Sequence, residues 1–527
     1  MPMKHVFPQQ AAAGRPSRRR RLPSTVAVSA AALLLLLAAA APARAADAPG
    51  AAEATRPCRL DGWPNELRCG QVERPLNPAE PQGRKISVHY VLVPAKSRSK
   101  LPDPVVLFAG GPGQAATRLA PKVIPGLSAL NNRRDLIFID QRGTGLSAPL
   151  QCPDSRTLPM AEAISSEGQL RQMQHCLATL QQLPHGDLRY YTTSVAMQDF
   201  DAVRQQLGVQ RWNLIGASYG TRAALEYQRQ FPQAVRRTLL DGMAPADQAL
   251  PESMSPDAQA ALDRVFDGCE QDAVCRRTYP RLRERWDGLL RSLPREVALP
   301  HPLSGVHERV RLEREALMRA VRLPLYVPAL SAALPAAIDA ATQGRFDGLA
   351  GLVGGLGMSG KDRLFEGMHF SVICAEDLPR MAGEGQAATG RDFGGGEARF
   401  YRRICASWPR GEVPPEFYRT PTAQSPVLLL SGGADPVTPP RHAERVAAAL
   451  GPKALHLMAP NAGHGVMRLA CLREPLQRFF NAASDEEALA LKADCLDRVP
   501  RALPFYPPGT PRPAASAASS AASEVSQ

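Results

Sequence analysis

One serine in this 527-residue sequence has a setting that could make it a nucleophile. Residues 216–220 read Gly-Ala-Ser-Tyr-Gly, and they lie between an apolar segment at 212–215 and a helical pattern at 221–231. A strand, a sharp turn of small residues and a helix together form a nucleophile elbow, which exposes the serine hydroxyl. We therefore predict that Ser218 is a nucleophile. The alternative is a glycine-rich loop with a surface serine.

A serine hydroxyl needs a base that takes its proton and a third group that orients the base. His464 lies in a glycine-flanked loop after the last predicted strand, and Asp435 lies in the turn after the preceding strand. The order Ser218, Asp435, His464 is the chain order of the triad in α/β-hydrolases. Asp241 also follows a predicted strand, and we interpret it as a structural turn residue.

Acyl transfer also needs donors for the negative charge that develops on the substrate carbonyl oxygen. The N–H of Tyr219, directly after the nucleophile, is the first expected donor. The second should come from an early loop, and the run Gly-Gly-Pro-Gly at 110–113 lets the backbone approach a substrate closely. We expect the N–H of Gly111 to be this donor. The alternative is a tight loop that only the sheet requires.

Strands and helices alternate around these residues. Apolar runs at 104–109 and 135–140 suit strands that are buried on both faces, and residues 193–207 form an amphipathic helical pattern. The alternation predicts an α/β fold with a doubly wound, mostly parallel sheet, whose functional turns follow the carboxyl ends of the strands. Between 245 and 422 apolar residues recur at helical spacing without buried-strand runs, which predicts a large helical lid insertion.

The two ends of the chain differ in composition from the rest. Four arginines at 18–21, an apolar core at 26–41 and Ala-Arg-Ala at 43–45 predict a cleaved signal peptide over 1–45, hence a periplasmic or secreted protein. The alternative is a membrane anchor, but the apolar core is shorter than the roughly 20 residues that span a bilayer. The tail at 507–527 consists largely of Pro, Ala and Ser and should be disordered.

The predicted core therefore comprises two parts, 46–244 and 423–506, on either side of the lid. The formal net charge of +13 owes much to the basic residues before position 46, where no acidic residue occurs. The remaining charge is unremarkable for a chain of this length, so nucleic-acid binding is not supported.

Ten cysteines fit export to an oxidising compartment. No C-x-x-C occurs and no histidine lies at ligand spacing from a cysteine pair, so we predict neither a zinc site nor another metal or cofactor. Sequence alone cannot fix the pairing, because even eight cysteines allow 105 arrangements. We hypothesise that neighbours along the chain are joined, which gives Cys58–Cys69, Cys152–Cys176, Cys269–Cys275, Cys374–Cys405 and Cys471–Cys495.

The motifs in combination resemble the proline-iminopeptidase and tripeptidyl-aminopeptidase group of α/β-hydrolases. The matching blocks are Gly-Gly-Pro-Gly at 110–113, Asp-Gln-Arg-Gly-Thr-Gly-Leu-Ser at 140–147, the Ser218 elbow, Asp-Pro-Val-Thr-Pro at 435–439 and Gly-His-Gly at 463–465. Ala109 departs from the pattern, since cytoplasmic proline iminopeptidases usually have histidine before the glycines. This departure favours the secreted tripeptidyl-aminopeptidase branch, which the lid and the C-terminal region also resemble.

The resemblance implies an exported serine peptidase that releases short N-terminal fragments from peptides with a free N-terminus. Such an enzyme must bind an α-ammonium group, and a lid carboxylate is the physical means. Glu376 and Asp377 are the candidates, because they follow a cysteine that we expect to be held in a disulfide. The alternative is an ordinary acid pair at a helix end or on the surface.

Two other functions remain open at this stage. A lipase or carboxylesterase could use the same scaffold, since a fold does not determine its substrate. A binding protein with a decayed site is the third possibility, but the intact serine, aspartate and histidine argue against it. The length of the released fragment and the oligomeric state cannot be read from the sequence.

Overall fold

A computed structural model describes residues 54–301, 303–354, 363–383, 386 and 389–506. The predicted signal peptide and tail therefore lie outside the described residues. The strands, in chain order, are β1 (Thr55–Cys58), β2 (Leu67–Pro75), β3 (Lys85–Val93), β4 (Val105–Phe108), β5 (Leu136–Ile139), β6 (Trp212–Ala217), β7 (Val235–Asp241), β8 (Arg295–Pro300), β9 (His307–Leu312), β10 (Val427–Gly432) and β11 (Ala454–Ala459).

Nine of these strands form one sheet in the order β1-β2-β3-β5-β4-β6-β7-β10-β11. The six strands from β5 to β11 in this order are parallel to their neighbours, whereas β1, β2, β3 and β5 pair antiparallel. The fold is thus α/β with a mostly parallel sheet, as the sequence predicts. Because the parallel strands share one direction, their carboxyl ends lie at a common edge, where ligands bind in such sheets.

Helices cover both faces of the sheet, and further helices form the insertion between β7 and β10. In chain order the helices are α1 (Ala116–Val123), α2 (Met160–Ile164), α3 (Ser166–Leu180), α4 (Thr193–Gln206), α5 (Tyr219–Gln230), α6 (Met254–Gln271), α7 (Ala273–Thr278), α8 (Leu282–Arg291), α9 (Arg314–Leu325), α10 (Pro328–Ser331), α11 (Leu334–Thr342), α12 (Asp347–Gly354), α13 (Glu366–Val372), α14 (Gly396–Cys405), α15 (Pro440–Leu450), α16 (Arg473–Asn481) and α17 (Asp485–Leu489).

The burial of β4 illustrates why its residues form a central strand. Val106 and Phe108 pack into the core beneath α4 and α5, whereas Val105 and Leu107 pack into the core beneath α1 and α16. All four side chains are buried, because the side chains of a strand alternate between faces and helices cover both faces here. In this sheet a continuous apolar run therefore indicates a central strand.

The insertion between β7 and β10 is mainly helical, and it has a hydrophobic core of its own around Phe266, Trp286 and Val321. It also contains the antiparallel hairpin β8–β9, which the sequence analysis did not predict. The hairpin strands read Arg-Glu-Val-Ala-Leu-Pro and His-Glu-Arg-Val-Arg-Leu, and charged residues alternate with a few buried ones. A half-exposed hairpin of this composition lacks the apolar run that marks a strand buried on both faces.

The segment 54–84, before β3, has no apolar run like those of β4 and β5. The structure places β1 and β2 there, as an antiparallel extension of the sheet. Most of their side chains are only partly buried, which agrees with the weak apolar pattern of the two strands.

The five disulfides join neighbours along the chain, as predicted: Cys58–Cys69, Cys152–Cys176, Cys269–Cys275, Cys374–Cys405 and Cys471–Cys495. One of them ties the end of α14 to the segment that follows α13 within the lid. Among the helices of the described residues, none has the length and apolar character needed to cross a membrane.

Candidate active site

Ser218 lies between the end of β6 and the start of α5, in a strained backbone conformation. Its φ of 57° and ψ of −127° are unusual for a residue other than glycine. The Ser218 N–H donates to the Asp241 carbonyl at 2.9 Å, and the Thr221 hydroxyl donates to the Ser218 carbonyl at 2.6 Å. These bonds hold the turn on both sides, so the side chain stays partly exposed at the carboxyl edge of the sheet.

The two glycines of the motif are required by close packing. A Cβ atom on Gly216 would meet the Gly220 carbonyl group, and one on Gly220 would clash with the Phe108 carbonyl at the end of β4. The first turn of α5 therefore lies directly against two strands. This contact fixes Ser218 relative to the loop that follows β4.

Asp435 and His464 form the hydrogen bond expected of a base and its orienting carboxylate. The distance from Asp435 Oδ2 to His464 Nδ1 is 2.7 Å. Asp435 also accepts hydrogen bonds from the N–H groups of Val437 and Thr438, both at 2.9 Å, and from the Thr438 hydroxyl at 2.7 Å. With its oxygens held in this way, the carboxylate keeps the imidazole Nδ1–H oriented and leaves Nε2 as the free nitrogen.

The charges of this pair stabilise each other. Burial alone would raise the pKa of Asp435, but the attraction and hydrogen bond of His464, together with Thr438, bring this pKa below its usual value. Burial alone would lower the pKa of His464, but the Asp435 carboxylate raises it above its usual value. The pair is thus suited to stabilise an imidazolium, which is what a general base becomes after it takes a proton.

The loop that carries His464 is held from two directions. The His464 N–H donates to the carbonyl of Tyr326, which follows α9 of the lid, at 2.9 Å, and the two rings meet edge to face at 5.2 Å. Asp241 accepts hydrogen bonds from the N–H groups of Val466 and Met467 at 2.8 and 3.0 Å. Asp241 therefore has a structural part in the turn beside the histidine, as interpreted from the sequence.

Ser218 and His464 are neighbours across the end of β7. Gly242 follows Asp241, whose carbonyl binds the Ser218 N–H, and a Cβ atom on Gly242 would lie 3.1 Å from His464 Cε1. The His464 side chain is 16% exposed. Within the described residues the structure contains no hydrogen bond between Ser218 Oγ and His464, a contact that often forms fully only when substrate is bound.

The loop after β4 lies beside the serine. A Cβ atom on Gly110 would be 3.2 Å from Ser218 Cβ, and Gly111 has a φ of 110°, which favours glycine. Tyr219 is the first residue of α5, so its N–H has no acceptor within the helix. Gly110, the neighbour of Gly111, thus lies against the nucleophile, and Tyr219 directly follows it; the oxyanion roles of the Gly111 and Tyr219 N–H groups stay a prediction.

Comparison with known families agrees with this architecture. Residues 103–277 match the family described as alpha/beta hydrolase fold, and residues 393–488 match the family described as TAP-like protein. This chain has the α/β-hydrolase fold.

Two curated relatives of this chain are peptidases by name. The tripeptidyl aminopeptidase of Streptomyces coelicolor is 30% identical over 205 residues, which cover 35% of this chain and 37% of that protein. The serine protease Hip1 of Mycobacterium tuberculosis is 29% identical over 202 residues, which cover 35% of this chain and 38% of that protein. The match thus spans less than two fifths of the length of either relative.

A solved structure is also similar to this chain. A serine hydrolase from Cycloclasticus zankles aligns with 78% of this chain and 98% of its own, at 13% identity and a TM-score of 0.35. A likeness at this level supports no conclusion about the function of this chain.

Glu376 and Asp377, the predicted ligands of the substrate's ammonium group, lie in a π-helical turn after α13, and neither side chain is exposed. Asp377 accepts two hydrogen bonds from Arg222 of α5, at 2.9 and 3.0 Å, and one from the Leu250 N–H at 2.9 Å. Glu376 accepts hydrogen bonds from the N–H and the hydroxyl of Thr193, at 2.7 and 3.0 Å. The acid pair therefore joins the lid to α5, the helix that follows the elbow. Its role in binding the substrate's ammonium group stays a prediction.

Glu376 has an unusual protonation equilibrium. Burial raises its pKa to about 7, although Arg222 and Thr193 counteract this shift. Thr193 also connects it to the nucleophile region, because the Thr193 hydroxyl lies 2.6 Å from the Tyr219 hydroxyl, which in turn accepts a hydrogen bond from Gln141 at 3.0 Å. Tyr219 is the residue directly after Ser218, so the network ends at the elbow.

Three lid residues near the site were not identified from the sequence. They are Tyr326, His369 and Tyr401. His369 forms hydrogen bonds at both ring nitrogens: Nδ1 lies 3.1 Å from the Pro112 carbonyl oxygen, and Nε2 lies 3.0 Å from the Tyr401 hydroxyl. Burial lowers the pKa of His369 to about 4, so Nδ1 can donate to Pro112 from a neutral ring. These residues lie in a helical insertion with no recognised motif around them. Only their residue types could have suggested a role in the site.

No group of three or more His, Cys, Asp or Glu side chains that could hold a metal ion occurs among the described residues.

Proposed function

We propose that this chain is an exported serine peptidase that releases short N-terminal fragments from peptides. The observation that carries the proposal is the 2.7 Å contact between Asp435 and His464 beside the strained elbow of Ser218. These are the parts that acyl transfer through a serine requires. The similarity to proteins named tripeptidyl aminopeptidase and serine protease supports peptides as the substrate class.

In this proposal Ser218 Oγ attacks the carbonyl carbon of the scissile peptide bond while His464 Nε2 takes the hydroxyl proton. The N–H groups of Gly111 and Tyr219 stabilise the oxyanion. His464 then gives its proton to the leaving amine, the C–N bond breaks, and the N-terminal fragment stays on Ser218 as an ester. Water activated by His464 attacks this ester and restores the serine. Asp435 orients the imidazole and stabilises its positive charge throughout.

Export is the second part of the proposal. All ten cysteines of the chain are in disulfides, which persist in oxidising compartments such as the periplasm or the extracellular space. N-terminal sequencing of the mature protein tests it. A mature N-terminus close to residue 46 is expected, and a full-length product in the cytoplasm would contradict export.

Recognition of a free N-terminus is the third part, and a substrate panel tests it. We expect hydrolysis of a tripeptide amide to exceed that of its N-acetylated counterpart, because acetylation removes the positive charge that a lid carboxylate would bind, at a cost of about 2–5 kcal/mol. Equal rates on both peptides would contradict this recognition. A preference for short-chain esters over both would favour the carboxylesterase alternative.

Two carboxylates serve as a matched pair in this panel. Glu376 is sealed, whereas Glu397 of α14 is 26% exposed and accepts a hydrogen bond from Arg322 at 2.8 Å. If Glu376 binds the ammonium group, Glu376→Gln lowers kcat/KM on the free peptide, spares a small ester, and Glu397→Gln changes neither. The reverse result would assign the ammonium group to Glu397 and reject Glu376.

A further inference from the structure

Five arginines gather at the edge of the sheet opposite to Ser218. This edge contains the amino ends of the parallel strands, and two adjoining depressions with volumes of about 680 and 300 Å³ open there. Arg211 and Arg236 line both. We call this place the arginine groove, and define it by Arg133, Arg134, Arg211, Arg236 and Arg237.

Carboxylates compensate only part of this charge. Asp103 is shared between Arg134 and Arg236, at 3.0 and 3.2 Å. Asp485, at the other end of the groove, is paired with Lys453 at 2.9 Å. The described residues therefore leave a clear excess of positive charge along the groove.

A structural role accounts for three of the arginines. Arg134, Arg236 and Arg237 donate to carbonyl groups at the end of α16, among them those of Phe480 and Ala482. Cations at a helix C-terminus stabilise the unpaired carbonyls, which together carry roughly half a negative charge. This partial charge is too small to balance three guanidinium groups, even together with Asp103.

Arg237 shows the imbalance most clearly. It is 2% exposed, it has no carboxylate partner among the described residues, and its Nε makes no hydrogen bond. Burial and the neighbouring Arg236 lower its pKa to about 10. A buried charge without a counter-ion lowers the stability of the folded state. An anion in the groove would therefore stabilise the protein by pairing with this charge.

The structural role does not extend to Arg211 and Arg133. Arg211 is exposed at the start of β6 and makes no side-chain hydrogen bond within the described part of the chain. The side chain of Arg133 has a single long contact, 3.5 Å from Nε to the Ser99 carbonyl. Both guanidinium groups line the larger depression with their donors available to a ligand.

We propose that the arginine groove is a second binding site, which takes a small ligand bearing a phosphate or diphosphate group. Guanidinium groups bind such oxyanions through paired N–H donors. The recessed position favours a small ligand over a membrane surface, since Arg134 and Arg237 are 3% and 2% exposed and a flat bilayer could not reach them. The site lies across the sheet from Ser218, so it is separate from the proposed peptidase site.

Isothermal titration calorimetry of the full mature protein with pyrophosphate at low ionic strength tests the proposal. We expect saturable binding of one pyrophosphate per chain, weaker binding of inorganic phosphate, and loss of affinity as sodium chloride is added. Acetate, a singly charged carboxylate, should bind far more weakly than either. Absence of saturable binding of pyrophosphate and phosphate would overturn the proposal.

Three variants separate the groove from general charge effects. Arg211→Gln and Arg133→Gln change side chains with few structural contacts, and each should weaken pyrophosphate binding about tenfold or more. Arg345→Gln removes the same charge from an exposed position in the lid and should leave the affinity unchanged. Equal effects of all three variants, or none from the first two, would reject the groove as the site.

Vesicles distinguish the source of the anion. The proposal expects no co-sedimentation with phosphatidylglycerol vesicles beyond that with phosphatidylcholine vesicles. Co-sedimentation with phosphatidylglycerol vesicles that is abolished by Arg211→Gln, and that pyrophosphate does not reduce, would contradict the small-ligand proposal. It would indicate that the groove binds a membrane surface.

Discussion

Carboxylates meet cationic partners at two places near Ser218, and the two places differ in what the cation can do. Asp435 binds His464, a titratable group that is 16% exposed and lies beside Gly242 at the end of β7. Asp377 and Glu376 bind Arg222, a permanent charge, and all three side chains are fully buried. The first pair can pass a proton, because imidazole gains and loses one near neutral pH. In the second group the cation, Arg222, keeps its charge, and the contacts join the lid to the elbow helix.

The comparison shows that burial and charge pairing do not by themselves mark a catalytic site. A carboxylate that orients a base needs a partner able to change its protonation state beside an accessible reaction centre. A carboxylate that joins two parts of a fold is served best by arginine, which stays charged and binds through two N–H groups. Each of the following experiments changes one of the two places and asks whether the other responds.

The largest effect is expected at the first pair. His464→Ala should lower kcat/KM by about 10³–10⁶-fold, since the base is lost while binding and oxyanion donors remain. Asp435→Asn should cost less than Ser218→Ala, because the base is still present though poorly oriented. Steady-state kinetics with circular dichroism as a folding control checks this. Wild-type turnover in Ser218→Ala would show that the elbow is not the reaction centre.

The second effect concerns Arg222. Arg222→Met leaves Glu376 and Asp377 buried without a counter-ion and should lower the free energy of unfolding by about 3–5 kcal/mol. Adding Glu376→Gln and Asp377→Asn should recover part of this loss, since the unpaired charges are then removed. Guanidinium chloride denaturation measures it, with Arg345→Gln as a control expected within about 0.5 kcal/mol of wild type. A stable Arg222→Met variant would contradict the joining role of the pair.

The third effect is smaller and tests how the acid pair is held. Cys374 directly precedes this region, and its disulfide with Cys405 closes a segment of 31 residues. Replacing both cysteines with alanine should cost about 2–4 kcal/mol and should increase proteolysis within the lid.

The matched control is the Cys58–Cys69 disulfide, with a separation of 11 residues in the β1–β2 hairpin. Its removal should leave lid proteolysis and activity unchanged. Equal lid proteolysis in both double variants would show that the Cys374–Cys405 bond does not hold the acid pair.

The smallest effect is a pH dependence of stability. Burial raises the pKa of Glu376 from 4.5 to about 7, so the folded state binds its proton more tightly than the unfolded state does. Stability from this group is therefore present at low pH and is lost as the pH rises between these two values, by about 1–3 kcal/mol. Denaturation curves at pH 5 and 7 should differ less in Glu376→Gln than in wild type. An identical pH dependence would exclude Glu376 as its source.

The sequence was most informative where structure is local or repeated. Three features could be predicted from the sequence: the elbow glycines, the apolar runs of β4 and β5, and the disulfides between neighbouring cysteines. Each of these patterns usually has a single physical cause. The strand ends agreed within about two residues; β6, for example, extends to Ala217.

Residues with distant partners could not be predicted. Arg222 lies on α5 close to the elbow, yet its partner Asp377 lies 155 residues further along the chain. The sequence also does not show that the carboxylates of Glu376 and Asp377 are buried and paired with Arg222, while their ammonium-binding role stays a prediction. Tyr326 contacts His464 only through its backbone carbonyl and ring, which leave no mark on residue spacing.

The hydrogen bond from His464 N–H to the Tyr326 carbonyl makes the lid part of the histidine loop. A Cβ atom on Gly463 would press against the same carbonyl, so the loop and the end of α9 are fitted to each other. Exchanging residues 245–422 for the cap of another hydrolase would remove the Tyr326 carbonyl. The His464 loop would then lose one of the contacts that fix its conformation. New specificities in this scaffold are therefore more accessible through point changes inside the existing cap than through transplantation of a foreign one.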